Sequence, residues 1–123
     1  MGARVLIVDH QPNLLTCLRY LLERTGLAVD AAETGRQALD MAAGVKPEVV
    51  LLETHLPDMD GYAVYQQLRE QLGNDVPILV VTARSREVER DKALALGADG
   101  YFAKPFDASA VVRRIQSLIR TAA

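Results

Sequence analysis

Apolar positions along the chain follow two rhythms. Short apolar or β-rich runs occur at Val5–Val8, Val49–Leu52, Ile78–Val81 and Tyr101–Ala103, with a weaker one at Ala28–Ala31. Their length and branching predict buried strands. Between them the spacing is helical. Leu14, Leu18, Leu21 and Leu22 form one stripe, and Ala108, Val111, Val112, Ile115, Leu118 and Ile119 another. Ala38 with Ala42, and Val64, Leu68 and Leu72, mark two more. Segment 86–97 is heavily charged, with Val88, Ala95 and Leu96 as weaker core anchors. Pro12, Gly35, Pro47, Pro57, Gly61, Gly73, Pro77, Gly97, Gly100 and Pro105 punctuate these segments. Strand and helix thus alternate five times, which predicts an α/β fold with a parallel sheet covered on both faces.

Composition narrows the class. The 123 residues are 50% apolar and 24% charged, the balance of a globular domain and not of a disordered chain, a collagen or a coiled coil. No apolar stretch approaches the roughly 18 residues of a membrane span. The start, MGARVLIVD, meets an acidic residue too soon for a signal peptide, so a cytoplasmic protein is expected. The single cysteine, Cys17, excludes an internal disulfide or a cysteine-based zinc site, and is expected as a small buried residue on the first helix. A net charge of −2 leaves no electrostatic footprint for direct nucleic-acid binding. No repeat or linker divides the chain. It stops soon after the fifth helix, so residues 1–123 are expected to be a single domain with no output domain attached.

In open parallel sheets ligands bind beyond the carboxyl ends of the strands. Here the first strand leads into Asp9–His10–Gln11, the third into Glu53–Thr54–His55, the fourth into Thr82–Ala83 and the fifth into Lys104–Pro105. Two carboxylates, two imidazoles, a hydroxyl and an ammonium are expected at one end of the sheet.

The segments VLIVD at 5–9, HLPDMDG at 55–61, VVTA at 80–83 and GADGYFAKPF at 97–106 resemble the receiver domain of two-component response regulators. The resemblance runs over essentially the whole chain. It implies a doubly wound, flavodoxin-like sheet in the order 2-1-3-4-5, five helices and a cis Lys104–Pro105 peptide. It also implies an acceptor of a phosphoryl group from a histidine kinase at position 53. Asp9, position 10 and the carbonyl of His55 would then hold Mg²⁺. Thr82 and Lys104 would grip phosphoryl oxygens, and Tyr101 would switch rotamer together with Thr82.

Two residues depart from that pattern. The acceptor position holds Glu53 instead of aspartate, and the second acidic position holds His10. Mg²⁺ demands near-ideal octahedral oxygen ligands, and imidazole suits softer ions. The Mg²⁺ site formed by Asp9, His10, Glu53 and His55 is therefore degenerate, and no cofactor is expected. Glu53 reaches one methylene further than aspartate, which spoils in-line attack and brings its charge toward Lys104. The function expected is that of a non-enzymatic pseudo-receiver: a protein-interaction module acting without phosphorylation. Its partners would be signalling proteins, a histidine kinase or a downstream effector, with a possible homodimer through residues 86–120.

Two alternatives stand beside it. One is a conventional receiver phosphorylated at reduced rate on Glu53 or a nearby residue. The other is a sensor of transition metals through His10, His55, Asp9 and Glu53. A nucleotide- or flavin-binding enzyme is disfavoured, because Asp9–His10–Gln11–Pro12–Asn13 holds no glycine and no Gly-x-Gly-x-x-Gly or Gly-x-x-x-x-Gly-Lys sequence occurs.

Overall fold

The computed structural model of the chain describes residues 3–83 and 87–122, with side chains up to residue 119. Its elements alternate strictly: β1 (Arg4–Val8), α1 (Pro12–Glu23), β2 (Ala28–Ala32), α2 (Gly35–Val45), β3 (Val49–Glu53), α3 (Gly61–Leu72), β4 (Ile78–Thr82), α4 (Glu87–Ala95), β5 (Gly100–Ala103) and α5 (Ala108–Ala122). The strands form one parallel sheet in the order β2-β1-β3-β4-β5. That is the doubly wound order the resemblance implied, and the Lys104–Pro105 peptide is cis. No helix among the described residues is long and apolar enough to cross a membrane.

Successive side chains of a strand point to opposite faces of the sheet. Leu6, Val8, Val50, Leu52, Ile78 and Val80 pack on one side with α2, α3 and α4. Val5, Ile7, Val49, Leu51, Leu79 and Val81 pack on the other with α1 and α5. With both faces covered, the three central strands read as continuous apolar runs.

Local signals account for most helix starts. Pro12 opens α1, where its missing N–H is no loss. The Thr34 hydroxyl accepts the Gln37 N–H at 3.1 Å to start α2, and the Asp60 carboxylate accepts the Tyr62 N–H at 3.3 Å to start α3.

Three expectations about the core need correction. In α1 the buried stripe is Leu15, Leu18 and Leu22, with Leu14 and Leu21 only partly buried. That orientation turns Cys17 to the exposed side. In α4, Val88 is 72% exposed and Ala95 is also exposed, Leu96 just beyond the helix is 38% exposed, and the buried anchor is Ala93. The helix lies against the sheet through one small residue, since its other inward candidates are charged. Within the charged run at 84–92, Arg84, Ser85 and Arg86 lie outside the described residues.

Candidate functional site

The parallel register builds the site. Val8 pairs with Leu52, so Asp9 and Glu53 are the next residues on neighbouring strands. Both continue the parity of Val5, Ile7, Val49 and Leu51, so they leave the sheet on the side of α1 and α5. Glu53 and Thr82 end their strands, and the Lys104 N–H donates to the Thr82 carbonyl at 2.8 Å, which ties the end of β5 to that of β4. Asp9, Glu53 and Thr82 are all buried.

Lys104 reaches into this cluster. Its Nζ lies 2.7 Å from Asp9 Oδ2 and 2.8 Å from Glu53 Oε1. The same Nζ donates to Gln11 Oε1 at 2.7 Å. An ammonium has three N–H donors, and here each has a short acceptor. The side chains of Lys104, Asp9 and Glu53 are only 12%, 4% and 1% exposed, so these charge-assisted bonds are largely shielded from water.

The remaining carboxylate oxygens are also engaged. Asp9 Oδ1 accepts the Gln11 N–H at 2.9 Å, and Glu53 Oε2 accepts the His55 N–H at 2.9 Å. The Thr54 hydroxyl sits 3.4 Å from the same Glu53 oxygen. Glu53 is therefore held from two sides. A carboxylate in this arrangement serves as an internal anion for the lysine, with each of its oxygens already accepting a hydrogen bond.

The loop between β3 and α3 fixes the Glu53 end. The Gly61 N–H donates to the Thr54 carbonyl at 2.9 Å, and a Cβ at Gly61 would lie 2.2 Å from the Thr54 Cα. Only glycine permits that approach. His55 and Asp60 form an isolated antiparallel bridge that closes the same loop. Asp58, in the middle of it, reaches across to α2. Its two oxygens accept the Gly35 and Arg36 N–H groups at 2.7 and 3.0 Å. These backbone bonds, that to Arg36 foremost, hold the Asp58 carboxyl below its ordinary pKa.

Tyr101 on β5 is half-buried and packs against the core on the α2–α3–α4 side. Burial, and then the Glu89 charge, push its phenol pKa up. Nearby, the Tyr62 hydroxyl donates to Glu89 Oε2 at 3.1 Å, and burial with that bond raises the Tyr62 pKa to about 12. Lys92 Nζ lies 4.4 Å from the Tyr62 ring centroid.

Of the residues expected at the strand ends, Asp9, Glu53, Thr82 and Lys104 come together. The two imidazoles do not join them. His10 and His55 are exposed at the rim, and His55 contributes its backbone N–H. Among the described residues no three His, Cys, Asp or Glu side chains form a group able to hold a metal ion. Asp9, His10, Glu53 and His55 thus do not form a side-chain group of that kind here. The two buried carboxylates face the lysine and the imidazoles face outward. Against Mg²⁺ the donor set is poor in oxygen: position 10 supplies an imidazole where that ion favours oxygen ligands, and Lys104 Nζ pairs with one oxygen each of Asp9 and Glu53.

Gln11 is the site residue the sequence analysis passed over. Its one signal is weak: glutamine is an uncommon residue to precede the first turn of a helix. Asp58 was likewise hidden, because its partners lie over twenty residues away.

Comparison with known proteins places this geometry in context. Residues 5–116 match the family model described as the response regulator receiver domain. The chain is 39% identical over 120 residues to the alkaline phosphatase synthesis transcriptional regulatory protein PhoP of Bacillus subtilis (strain 168), covering 98% of this chain and 50% of that protein. It is 41% identical over 120 residues to the response regulator MprA of Mycolicibacterium vanbaalenii, covering 98% and 52% respectively. The chain thus spans about half the length of these relatives. Among solved structures, the BeF3-activated DrrB receiver domain superposes with a TM-score of 0.89 at 25% identity, covering 98% of this chain and 99% of that one.

Proposed function

The chain belongs to the response regulator receiver domain family of two-component signalling, and from that premise we propose that it works as a pseudo-receiver, an interaction module whose output does not depend on phosphorylation. One observation carries the reading. The Lys104 ammonium spends its three donors on Asp9, Glu53 and Gln11. The family resemblance assigns this lysine to phosphoryl oxygens and the neighbouring acidic residues to Mg²⁺. Here the lysine and the carboxylates satisfy one another instead.

The consequence for phosphoryl transfer is direct. A metal neutralises charge developing on the transferred group, and a positioned lysine grips it. With the ammonium between the carboxylates, Mg²⁺ must displace a buried ion pair to enter. His10, exposed at the rim, brings no negative charge to draw it in. Glu53 is turned toward Lys104 and the His55 N–H, and those bonds hold it away from the in-line approach. A fixed carboxylate against Lys104 also stands in for part of a phosphoryl group, which biases Thr82 and Tyr101 toward one arrangement. Signalling would then pass through protein contacts with a histidine kinase, a downstream effector or a second copy. Within the 86–120 segment the described residues 87–119 offer such a surface, with Val88 72% and Leu94 47% exposed on α4.

The test is the intact mass of the chain after incubation with acetyl phosphate, with and without Mg²⁺, beside the double variant Glu53→Asp with His10→Asp. The double variant is expected to gain one phosphoryl group in a Mg²⁺-dependent way, and the native chain none. A phosphoryl adduct on the native chain would return it to the conventional class, with Glu53 or a neighbour as a slow acceptor.

A further inference from the structure

Gln11 is exposed on the rim, yet its side chain bonds the most enclosed cation of the molecule's functional end. Lysine is a donor only, so the atom facing Lys104 Nζ must be the amide oxygen. The backbone N–H of the same residue donates to Asp9 Oδ1. Gln11 therefore touches both partners of the Lys104–Asp9 pair, one through its side chain and the other through its main chain. Pro12 follows directly and opens α1, which keeps the backbone of Gln11 extended, with φ −94° and ψ 107°. Its side chain, with Leu14, Ala83, Pro105 and Phe106, lines the recess through which Lys104 communicates with solvent.

From this geometry we propose that Gln11 is the latch of the pocket, a positioning residue whose carboxamide oxygen holds Lys104 in its inward, donor-saturated place. Asp9 and Glu53 attract the ammonium from inside the pocket. Gln11 is the one acceptor of the three that stands at the surface, and so the one an outside molecule can reach. A partner that draws the Gln11 carboxamide oxygen away from Lys104 would free one N–H of Lys104 toward the recess without disturbing either buried carboxylate. The inference deepens the proposed function, since it names the point at which a binding partner gains access to the closed site.

The chain has three lysines, Lys46, Lys92 and Lys104, of which Lys46 and Lys92 are exposed. That makes competitive amine acylation a clean probe. A limiting N-hydroxysuccinimide ester of acetate is applied to the folded native chain, to Gln11→Ala and to Gln11→Glu, and acylation at each lysine is read by peptide mass. To react, Lys104 must leave its acceptors and give up a proton. The native chain is expected to acylate at Lys104 far more slowly than at Lys46 or Lys92. Gln11→Ala is expected to raise the Lys104 rate about tenfold, the scale of one lost hydrogen bond to a charged group, with Lys46 and Lys92 unchanged. Gln11→Glu, which keeps an acceptor oxygen within reach, is expected to leave Lys104 as slow as in the native chain.

An unchanged Lys104 rate in Gln11→Ala would overturn the proposal. So would an equal rise in Gln11→Glu, which would show that side-chain shape and not the acceptor matters, or a parallel rise at Lys46, which would report general loosening. These outcomes are separate from those of the phosphoryl assay. Phosphorylation of the native chain overturns the pseudo-receiver reading whatever the Lys104 rate, and a failed acylation test removes only the latch.

Discussion

Replacing Lys104 with methionine should convert a satisfied charge cluster into an unsatisfied one, and the size of the loss follows from the structure. The substitution keeps most of the stem volume and deletes the ammonium. Asp9 and Glu53 are then left as two buried carboxyl groups, each keeping one backbone N–H, from Gln11 and His55 respectively. Removing one partner of a buried pair costs about 3–5 kcal/mol. Here the lost ammonium served two carboxylates at once, at 2.7 and 2.8 Å, and all three side chains are nearly shut off from water, which puts the expected loss near the middle of that range, about 4 kcal/mol at pH 7. Urea unfolding followed by far-ultraviolet circular dichroism, for native and variant at pH 7, measures it. A loss under about 1 kcal/mol would refute the claim that Lys104 neutralises buried carboxylates. Adding Glu53→Gln to Lys104→Met removes one of the stranded charges, and should recover much of the pH 7 loss as a non-additive term.

Two further outcomes follow from the loop that holds Glu53. Gly61→Ala forces a Cβ against the Thr54 backbone at 2.2 Å, so it should destabilise by about 3 kcal/mol in the same unfolding assay. A cost below about 1 kcal/mol would show that the loop can move aside. Asp58→Asn should alter the acid limb of stability. The Asp58 pKa is lowered in the folded state, so its contribution is present above the unfolded value of about 3.9 and is lost as pH falls through the folded value. Acid unfolding of Asp58→Asn should therefore show a shallower loss of stability below pH 4 than the native chain, and identical slopes would deny Asp58 its hold on α2.

The fold was legible because its signals are local and repeated. Branched runs of about five residues, helical stripes between them and glycine or proline at the joins leave few architectures. Each observed strand lies within a residue of its expected bounds. The strand order rested on resemblance and not on periodicity, which carries no information about which strand neighbours which. Helix rotation was less legible. In α1 an almost continuous leucine pattern left the inward stripe ambiguous by about one position, and that one position decides whether Cys17 faces the core or solvent. In α4 the weak apolar content let a single alanine serve as the anchor.

The site divides along the same line. The residue types at the strand ends, with Glu53 where the family pattern expects aspartate and His10 where it expects an acid, could be read directly from the chain. Only the tertiary structure decided which of them meet. Parallel register set Asp9 beside Glu53 on one face, and β5 delivered Lys104 to both. The imidazoles stayed at the rim, and Gln11, ninety-three positions from Lys104, closed the last donor. The physical reason is that sequence specifies local preference and side-chain chemistry. Which charges share a buried pocket depends on sheet register, side-chain reach and exclusion of water, and these exist only once the chain has folded.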